Sequence, residues 1–248
     1  MQALLSFPLI ALLLSFFGSI GLVHADTVYL DIGEWAPFTS EKDPDGKIAE
    51  TLVREAFALE GFDVEYNYYP WKRSYERIKN GQSDGTFPWF VNPDRGDNDY
   101  FIISKERLFR DKEVFFYHVN RPFDWKEFSD LKNYVIGGVI GYSHVVQLAN
   151  HGITVEAVSN EAQNYRKLMA GRIDAVPGGQ IVGYYMIQKM FPEAKVRMIT
   201  HHSKPLREAD MFMFFSRKRP RSQEFDAAFS RGMKKLKSSG RYSTILDQ

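Results

Sequence analysis

The sequence predicts an α/β protein built from two lobes with a hinged cleft between them. Strand-like and helix-like segments alternate over residues 28–79, which is typical of parallel strands joined by crossover helices. A motif of Gly, two residues, Asp, a small residue, apolar residues and Pro occurs twice, at 81–88 and 171–177. Two aromatic-rich stretches, 114–119 and 211–215, can carry the chain into the second lobe and back. Ligands in such an architecture bind in the cleft, near strand ends and helix starts.

The elements of the first lobe follow from periodicity. Residues 28–32 and 62–68 predict strands. Between them, apolar residues recur at helical spacing over 48–59, and Gly61 follows as a C-terminal cap. Residues 71–79 predict the next helix, which stops at an Asn-Gly pair.

The second lobe is predicted to begin with a strand at 134–139 that leads into Gly141-Tyr142-Ser143-His144 at the start of a helix. The last helix has an apolar face over 225–236 and ends at Gly240. It follows the second crossing stretch and is therefore expected to return to the first lobe.

Composition excludes several classes of function. The chain has 32 Lys and Arg against 31 Asp and Glu, which gives no reason to expect a nucleic-acid partner. It has no Cys, so disulfides, thiolate metal sites, a Cys nucleophile and a lipid-modified Cys are excluded. The pair His201-His202 lacks a second pair of ligands, so no metal site is predicted. We assign no catalytic residue and expect no cofactor.

Residues 1–25 predict a secretory signal peptide. The segment 3–23 is almost wholly apolar, and Val23 and Ala25 fit the small-residue cleavage pattern, so Asp26 is the expected mature N-terminus. A retained membrane anchor is the alternative, because the apolar run is just long enough to span a bilayer. No later segment is comparably apolar, so we expect a soluble protein in the periplasm.

Five short motifs occur in an order that is specific when taken together. They are Trp35-Ala36-Pro37-Phe38, Asn92-Pro93-Asp94-Arg95, Gly141-Tyr142-Ser143-His144, the Gly-Arg-Ile-Asp-Ala string at 171–175 and the Lys-x-x-x-x-Gly-x-Tyr-x-x-Ile string at 235–245. On these motifs the chain resembles the bacterial extracellular solute-binding proteins of family 3, the periplasmic binding proteins of polar amino-acid ABC transporters. In the second motif Asn92 stands where the family has Thr.

The resemblance implies the periplasmic binding protein type II fold, with residues 26–117 plus 214–248 as lobe 1 and residues 118–213 as lobe 2. It implies a monomer, not an enzyme, that captures a small, carboxylate-bearing solute such as an amino acid for ABC-type uptake. The implied partners are the small-molecule ligand and a membrane permease. Two alternatives stay open: an enzyme like the periplasmic cyclohexadienyl dehydratases, which share this fold, and a soluble subunit that presents its ligand to a membrane sensor.

The resemblance also points to six candidate ligand-binding residues. Arg95 would hold a ligand carboxylate with its guanidinium fork, or be a solvated loop residue. Trp35 would stack on the ligand, or be a core residue. Trp71 and Trp89 follow prolines in predicted turns and are either cleft walls or structural plugs. Ser143, with the backbone beside it at Tyr142, would meet an anionic group at a helix start, or be a plain N-cap.

One departure from the family bears on specificity. The amino-acid binders hold the ligand's ammonium with an acidic residue in lobe 2, and this position falls at or near Gly179. A Ser-rich loop of lobe 1 is replaced by Phe87-Pro88-Trp89-Phe90. We therefore expect weak binding of ordinary polar amino acids and a preference for an amine-poor compound with a ring. Glu34 or Asp84 is the open possibility for a replacement acid. The missing acid also argues against a dehydratase, which needs one in its cleft.

Overall fold

The computed structural model describes residues 26–92 and 95–247. The predicted signal peptide, and Pro93 and Asp94 of the arginine motif, lie outside the described residues. Among the helices described, none is long and apolar enough to cross a membrane.

The chain alternates strands and helices from its first described residue. The first part contains β1 (Asp26–Ile32), α1 (Ile48–Ala58), β2 (Phe62–Tyr68), α2 (Trp71–Lys79), β3 (Gly85–Trp89), α3 (Asp97–Tyr100) and β4 (Phe101–Ile103). The remainder contains β5 (Phe109–His118), a 3₁₀ helix (Phe128–Asn133), β6 (Ile136–Val139), α4 (Ser143–Asn150), β7 (Val155–Val158), α5 (Glu161–Met169), β8 (Ala175–Gly179), α6 (Gln180–Met190), α7 (Glu193–Val196), β9 (Ile199–His201), β10 (Arg207–Ser216), α8 (Ser222–Ser238) and α9 (Arg241–Leu246). The predicted α/β class is confirmed.

The strands form two parallel groups joined by antiparallel strands. Their order is β2-β1-β3-β10-β5-β8-β6-β7, with β4 on β10 and β9 on β5. β1 is parallel to β2 and β3, and β6 is parallel to β7 and β8. β5 and β10 are antiparallel to each other and occupy the centre, so they are the two connections between the halves.

The apolar cores lie on either side of these connections. One core is built from residues up to Leu108 and from Met211 onward, joined by Phe109 and by Val182 of α6. Two further clusters draw their buried residues from 114–199. β5 therefore passes from one core to the other between Phe109 and Val114.

The repeated motif has the same hydrogen bonds in both halves. The backbone N–H and one carboxylate oxygen of Asp84 bond to the backbone of Tyr29, at 3.0 Å each. Asp174 makes the same two bonds to Val135, at 2.8 Å each. In each half the motif thus ties the residue directly before a strand, β3 or β8, to the backbone at or next to the neighbouring parallel strand, β1 or β6.

Two expectations are corrected by the strands, and a third by the helices, because α9 follows Gly240 and α8 is not the last helix. β5 and β10 begin five and four residues earlier than the stretches 114–119 and 211–215. Trp71 and Trp89 do not occupy turns, because Trp71 opens α2 and Trp89 ends β3. Pro88 is accommodated inside β3 because the register with β10 shifts there, so no ladder bond is required of its missing N–H.

Candidate ligand-binding cleft

A cavity of about 400 Å³ opens where the two crossing strands, β5 and β10, meet the two groups of parallel strands. Side chains from both halves of the fold contribute to its walls. All six residues that the sequence suggested line it: Trp35, Trp71, Trp89, Arg95, Tyr142 and Ser143. The cavity has the size and the mixed aromatic and polar lining of small-molecule sites.

Interlocked aromatic rings form one wall. The ring of Trp89 meets the rings of Trp71 and Tyr75 edge-on, with centroids 5.3 and 5.5 Å apart. Trp71 lies on the backbone of Gly33, where a Cβ would be 2.4 Å from its Cε2 atom, so only glycine fits. Trp35 tilts against the buried Phe38 at 5.0 Å. These contacts fix the rings and leave their edges and faces to the cavity.

Arg95 is already paired inside the protein. Its Nε and Nη2 donate to the two carboxylate oxygens of Asp97 at 2.6 and 2.7 Å, and Nη2 also donates to the Phe90 carbonyl. Asp97 is fully buried and accepts a further bond from Tyr75. The guanidinium lies 5.0 Å from the centroid of Trp89. The fork expected to hold a ligand carboxylate is therefore charge-compensated by Asp97.

The floor of the cavity is the antiparallel pair β5–β10. Side chains alternate between the two faces of a strand, so Asp111 and Glu113 face the cavity together with Arg207, Ala209 and Met211. Arg207 donates to Glu113 at 2.7 Å and to Ser143 at 3.3 Å. The buried His144 bonds to the other oxygen of Glu113 at 2.7 Å. Burial opposes ionisation of Glu113, yet His144 and Arg207 hold its pKa below the ordinary value.

Two other carboxyl groups of the cavity have pKa values above the ordinary value, in contrast to Glu113. Burial, together with the negative charge of Glu113, raises the pKa of Asp111 to about 7. Burial raises the pKa of Glu161, the first residue of α5, to about 7, although His144 and a hydrogen bond from Tyr142 act against this. Both groups therefore change charge near neutral pH.

Sequence reasoning missed the charged floor. Asp111, Glu113, Glu161 and Arg207 all line the cavity, and none was predicted. The signal available was the alternation Arg-Asp-Lys-Glu at 110–113, which a half-buried strand produces when one face is acidic and the other basic.

The two acids considered as replacements for position 179 lie elsewhere. Glu34 is exposed and accepts bonds from Ser40 and from the backbone of Glu41. Asp84 pairs with Arg219 at 2.8 Å. Neither lines the cavity, so the possibility that Glu34 or Asp84 faces the ligand is wrong.

The adjacent histidines have protein partners. His201 bonds to the Tyr184 hydroxyl at 2.7 Å, and His202 to Asp124 at 2.9 Å. Over the described ranges, no three or more His, Asp or Glu side chains cluster as metal ligands.

The arrangement of strands, helices and cleft matches the two-lobed periplasmic binding protein fold, as expected. A histidine kinase sensor domain with similarity to periplasmic binding proteins has a TM-score of 0.75 and 18% identity, covering 89% of this chain and 94% of that one. A ligand-binding core from Nostoc punctiforme in complex with L-glutamate has a TM-score of 0.72 and 18% identity, with coverage of 89% and 97%. An amino acid ABC transporter substrate-binding protein from Streptococcus pneumoniae, bound to L-arginine, gives 0.70 and 15%, with coverage of 89% and 93%.

These similarities establish the fold. No protein-family model and no curated sequence matches the chain.

Proposed function

We propose that this chain is a solute-binding protein that closes around a small amino-acid-like solute and delivers it to an ABC-type membrane permease. The observation that carries this proposal is the cavity of about 400 Å³ at the crossing strands, lined from both halves by aromatic and charged side chains. A solute held there contacts both halves at once, so its binding energy favours the closed arrangement.

The proposed lobes are residues 26–117 plus 214–248 and residues 118–213, hinged at β5 and β10. Trp35, Trp71 and Trp89 stack on the apolar part of the solute. Arg95 and Arg207 both lie against the Phe90 ring, at 5.5 and 3.9 Å from its centroid. An anionic group of the solute would approach this end of the cavity, where Ser143 and the Tyr142 backbone begin α4.

Location and partner belong to the same proposal. A chain exported by the segment 1–25 and cleaved before Asp26 would act in the periplasm as a monomer. Two of the similar structures, one of them bound to L-arginine, are substrate-binding proteins of amino acid ABC transporters, which supports a solute of this size.

Thermal shift with a solute panel tests the proposal on residues 26–248, because binding to the folded state must raise apparent stability. The panel contains amino acids, aromatic amines and aromatic carboxylic acids. Trp35→Ala should lose the shift, whereas Tyr29→Ala, which removes an exposed aromatic side chain away from the cavity, should retain it. Absence of any shift, or equal shifts in both variants, would contradict the proposed site.

An enzyme is the second candidate, and the raised pKa values of Asp111 and Glu161 favour it. A carboxyl with a pKa of about 7 can hold a proton at neutral pH and pass it to a leaving hydroxyl group. The argument from Gly179 against a cleft acid thereby loses its force. Incubation with prephenate or arogenate, followed by detection of phenylpyruvate or phenylalanine, tests this candidate. Product formation that Asp111→Asn abolishes would establish catalysis.

A further inference from the structure

The charges on the two crossing strands are matched at every position but one. On the outer face, Arg110 lies opposite Asp210 and Lys112 opposite Glu208, and both pairs form salt bridges. On the inner face, Glu113 lies opposite Arg207 and pairs with it.

Asp111 is the exception, because its partner in the register is Ala209. Cross-strand neighbours are the positions from which a sheet normally supplies a compensating charge. The methyl group of Ala209 supplies none and leaves space over the carboxylate.

The carboxylate of Asp111 is buried, lines the cavity and has no cationic side chain paired with it among the described residues. The residue is 8% exposed, and its Oδ1 atom has no hydrogen-bond partner. Gly179 leaves the group uncovered, since a Cβ there would lie 3.0 Å from Oδ2 and 3.5 Å from Cζ2 of Trp35. The carboxylate and the edge of an indole ring thus border the same space.

The two arginines that line the cavity are engaged with other groups. Arg95 is bound to Asp97, and Arg207 to Glu113 and Ser143. Lys79 lies over the ring of Tyr100, 3.9 Å from its centroid. Throughout residues 26–92 and 95–247, no lysine, arginine or histidine forms a salt bridge with Asp111. A buried carboxylate without a partner is costly, so a site that retains one is suited to a ligand that supplies the positive charge.

We propose that Asp111 binds a cationic nitrogen of the solute, an ammonium group or an alkylated amine, and that this contact determines which solutes the cleft accepts. The inference rests on the proposed function and names the solute class for the same cavity. The cation donates to the unpartnered Oδ1, and the Trp35 indole that borders the same space adds cation–π attraction. The expected solute is therefore an amine with an aromatic or aliphatic body.

The proposed contact also makes binding depend on pH. The charged groups that face Asp111 are Glu113 on its own strand, Arg207 on β10 and Glu161 on α5. An amine binds the ionised carboxylate, so at pH 6 binding releases a proton from Asp111, and affinity rises towards pH 8. Below pH 7 each unit of acidification should weaken binding by up to about tenfold.

Matched probes test the inference: phenethylamine against 3-phenylpropionate, and tryptamine against indole-3-propionate, by calorimetry. We expect the amines to bind and Asp111→Asn to weaken them at least about thirtyfold. Glu208→Gln, which removes a carboxylate from the outer face of the same strand pair, is the control and should bind like the wild type. Circular dichroism and the melting temperature without solute verify that each variant is folded.

The outcomes separate the inference from the proposed function. Binding of the acids alone would overturn the inference and leave solute binding intact, and failure of every probe and every panel solute would overturn both. Unchanged amine affinity in Asp111→Asn would overturn the role of this residue. Calorimetry on the wild type at pH 6.0 in two buffers of different ionisation enthalpy is an independent measurement. Proton release that persists in Glu161→Gln, which removes the other cavity carboxyl with a pKa of about 7, supports the inference, and absence of proton release contradicts it.

Discussion

Two carboxylates on β5, two residues apart and on the same face, have opposite electrostatic environments. Glu113 is held between His144 and Arg207, which lower its pKa despite burial. Asp111 faces Ala209, and burial raises its pKa to about 7. The register of a single strand pair therefore separates a structural carboxylate from one that is available to a ligand.

Asp111→Asn is predicted to stabilise the unliganded protein at pH 8. Its folded-state pKa of about 7 exceeds the ordinary value of 3.8, so the folded state binds the extra proton and its stability falls as pH rises between these values. Ionisation then costs the folded state up to ~4 kcal/mol. Urea denaturation should show the variant more stable by about 2–4 kcal/mol at pH 8 and close to wild type at pH 4. A wild-type advantage at pH 8 would contradict this.

Arg95→Ala is predicted to destabilise the fold as well as change the cleft. It removes the bidentate partner of Asp97, which is fully buried, and breaking a buried pair typically costs about 3–5 kcal/mol. Denaturant unfolding measures the loss. Arg107→Ala breaks an exposed pair with Asp210 and should cost less than ~1 kcal/mol. Equal losses of unfolding free energy in the two variants would show that the Arg95–Asp97 pair contributes no more to stability than an exposed ion pair.

Position 179 shows why single-sequence reasoning stops short of the site. The glycine suggested an amine-poor solute because the expected acid is missing. The structure brings Asp111 from the neighbouring strand, with Oδ2 3.0 Å from where a side chain at 179 would begin. Residues 111 and 179 are distant in sequence, and their proximity depends on the β5–β8 register, which no local pattern encodes. The inference from Asp111 reverses the amine-poor expectation.

At the scale of elements, periodicity correctly predicted the strands and helices whose bounds depend on adjacent residues alone. The predicted bounds 62–68 and 71–79 coincide with β2 and α2, because alternation and the Asn-Gly stop are properties of adjacent residues. The beginnings of β5 and β10 were missed because charged residues that pair across strands have no apolar pattern. The same segments form the floor of the cavity, so they hold three of the four missed site residues, Asp111, Glu113 and Arg207.

Asp84→Ala is predicted to destabilise the protein more than Asp174→Ala does. Each residue ties the start of a strand to its neighbour, but the Asp84 side chain is 5% exposed whereas the Asp174 side chain is 28% exposed, so water can replace the lost contacts at residue 174. Loss of the buried acceptor leaves the Tyr29 N–H and Arg219 unpaired, at about 2–3 kcal/mol. Urea denaturation of both variants measures the difference. A larger loss in Asp174→Ala would contradict this reasoning.

At the scale of the whole molecule, the two halves also touch outside the cavity. The Tyr185 hydroxyl of α6 donates to Asp43 in the β1–α1 loop at 2.7 Å, and Lys189 lies 3.4 Å from the same carboxylate. Val182, one turn earlier, packs into the apolar core of the first half. This helix therefore joins the halves at a second place, away from the crossing strands. Contacts of this kind shift the balance between open and closed states without touching the solute.

Tyr185→Phe is accordingly predicted to weaken solute binding although residue 185 does not line the cleft. It removes one hydrogen bond between the halves, so the closed state becomes less populated and the apparent affinity falls by about two- to tenfold. Calorimetry measures the affinity, and small-angle scattering of the unliganded protein should show a larger radius of gyration. Asp45→Asn is the control. Asp45 lies in the same loop, but its ion pair with Lys189 is long, at 3.8 Å, and exposed, so its loss should change the affinity little. Equal affinities for Tyr185→Phe and wild type would show that closure depends on the cleft and the crossing strands alone.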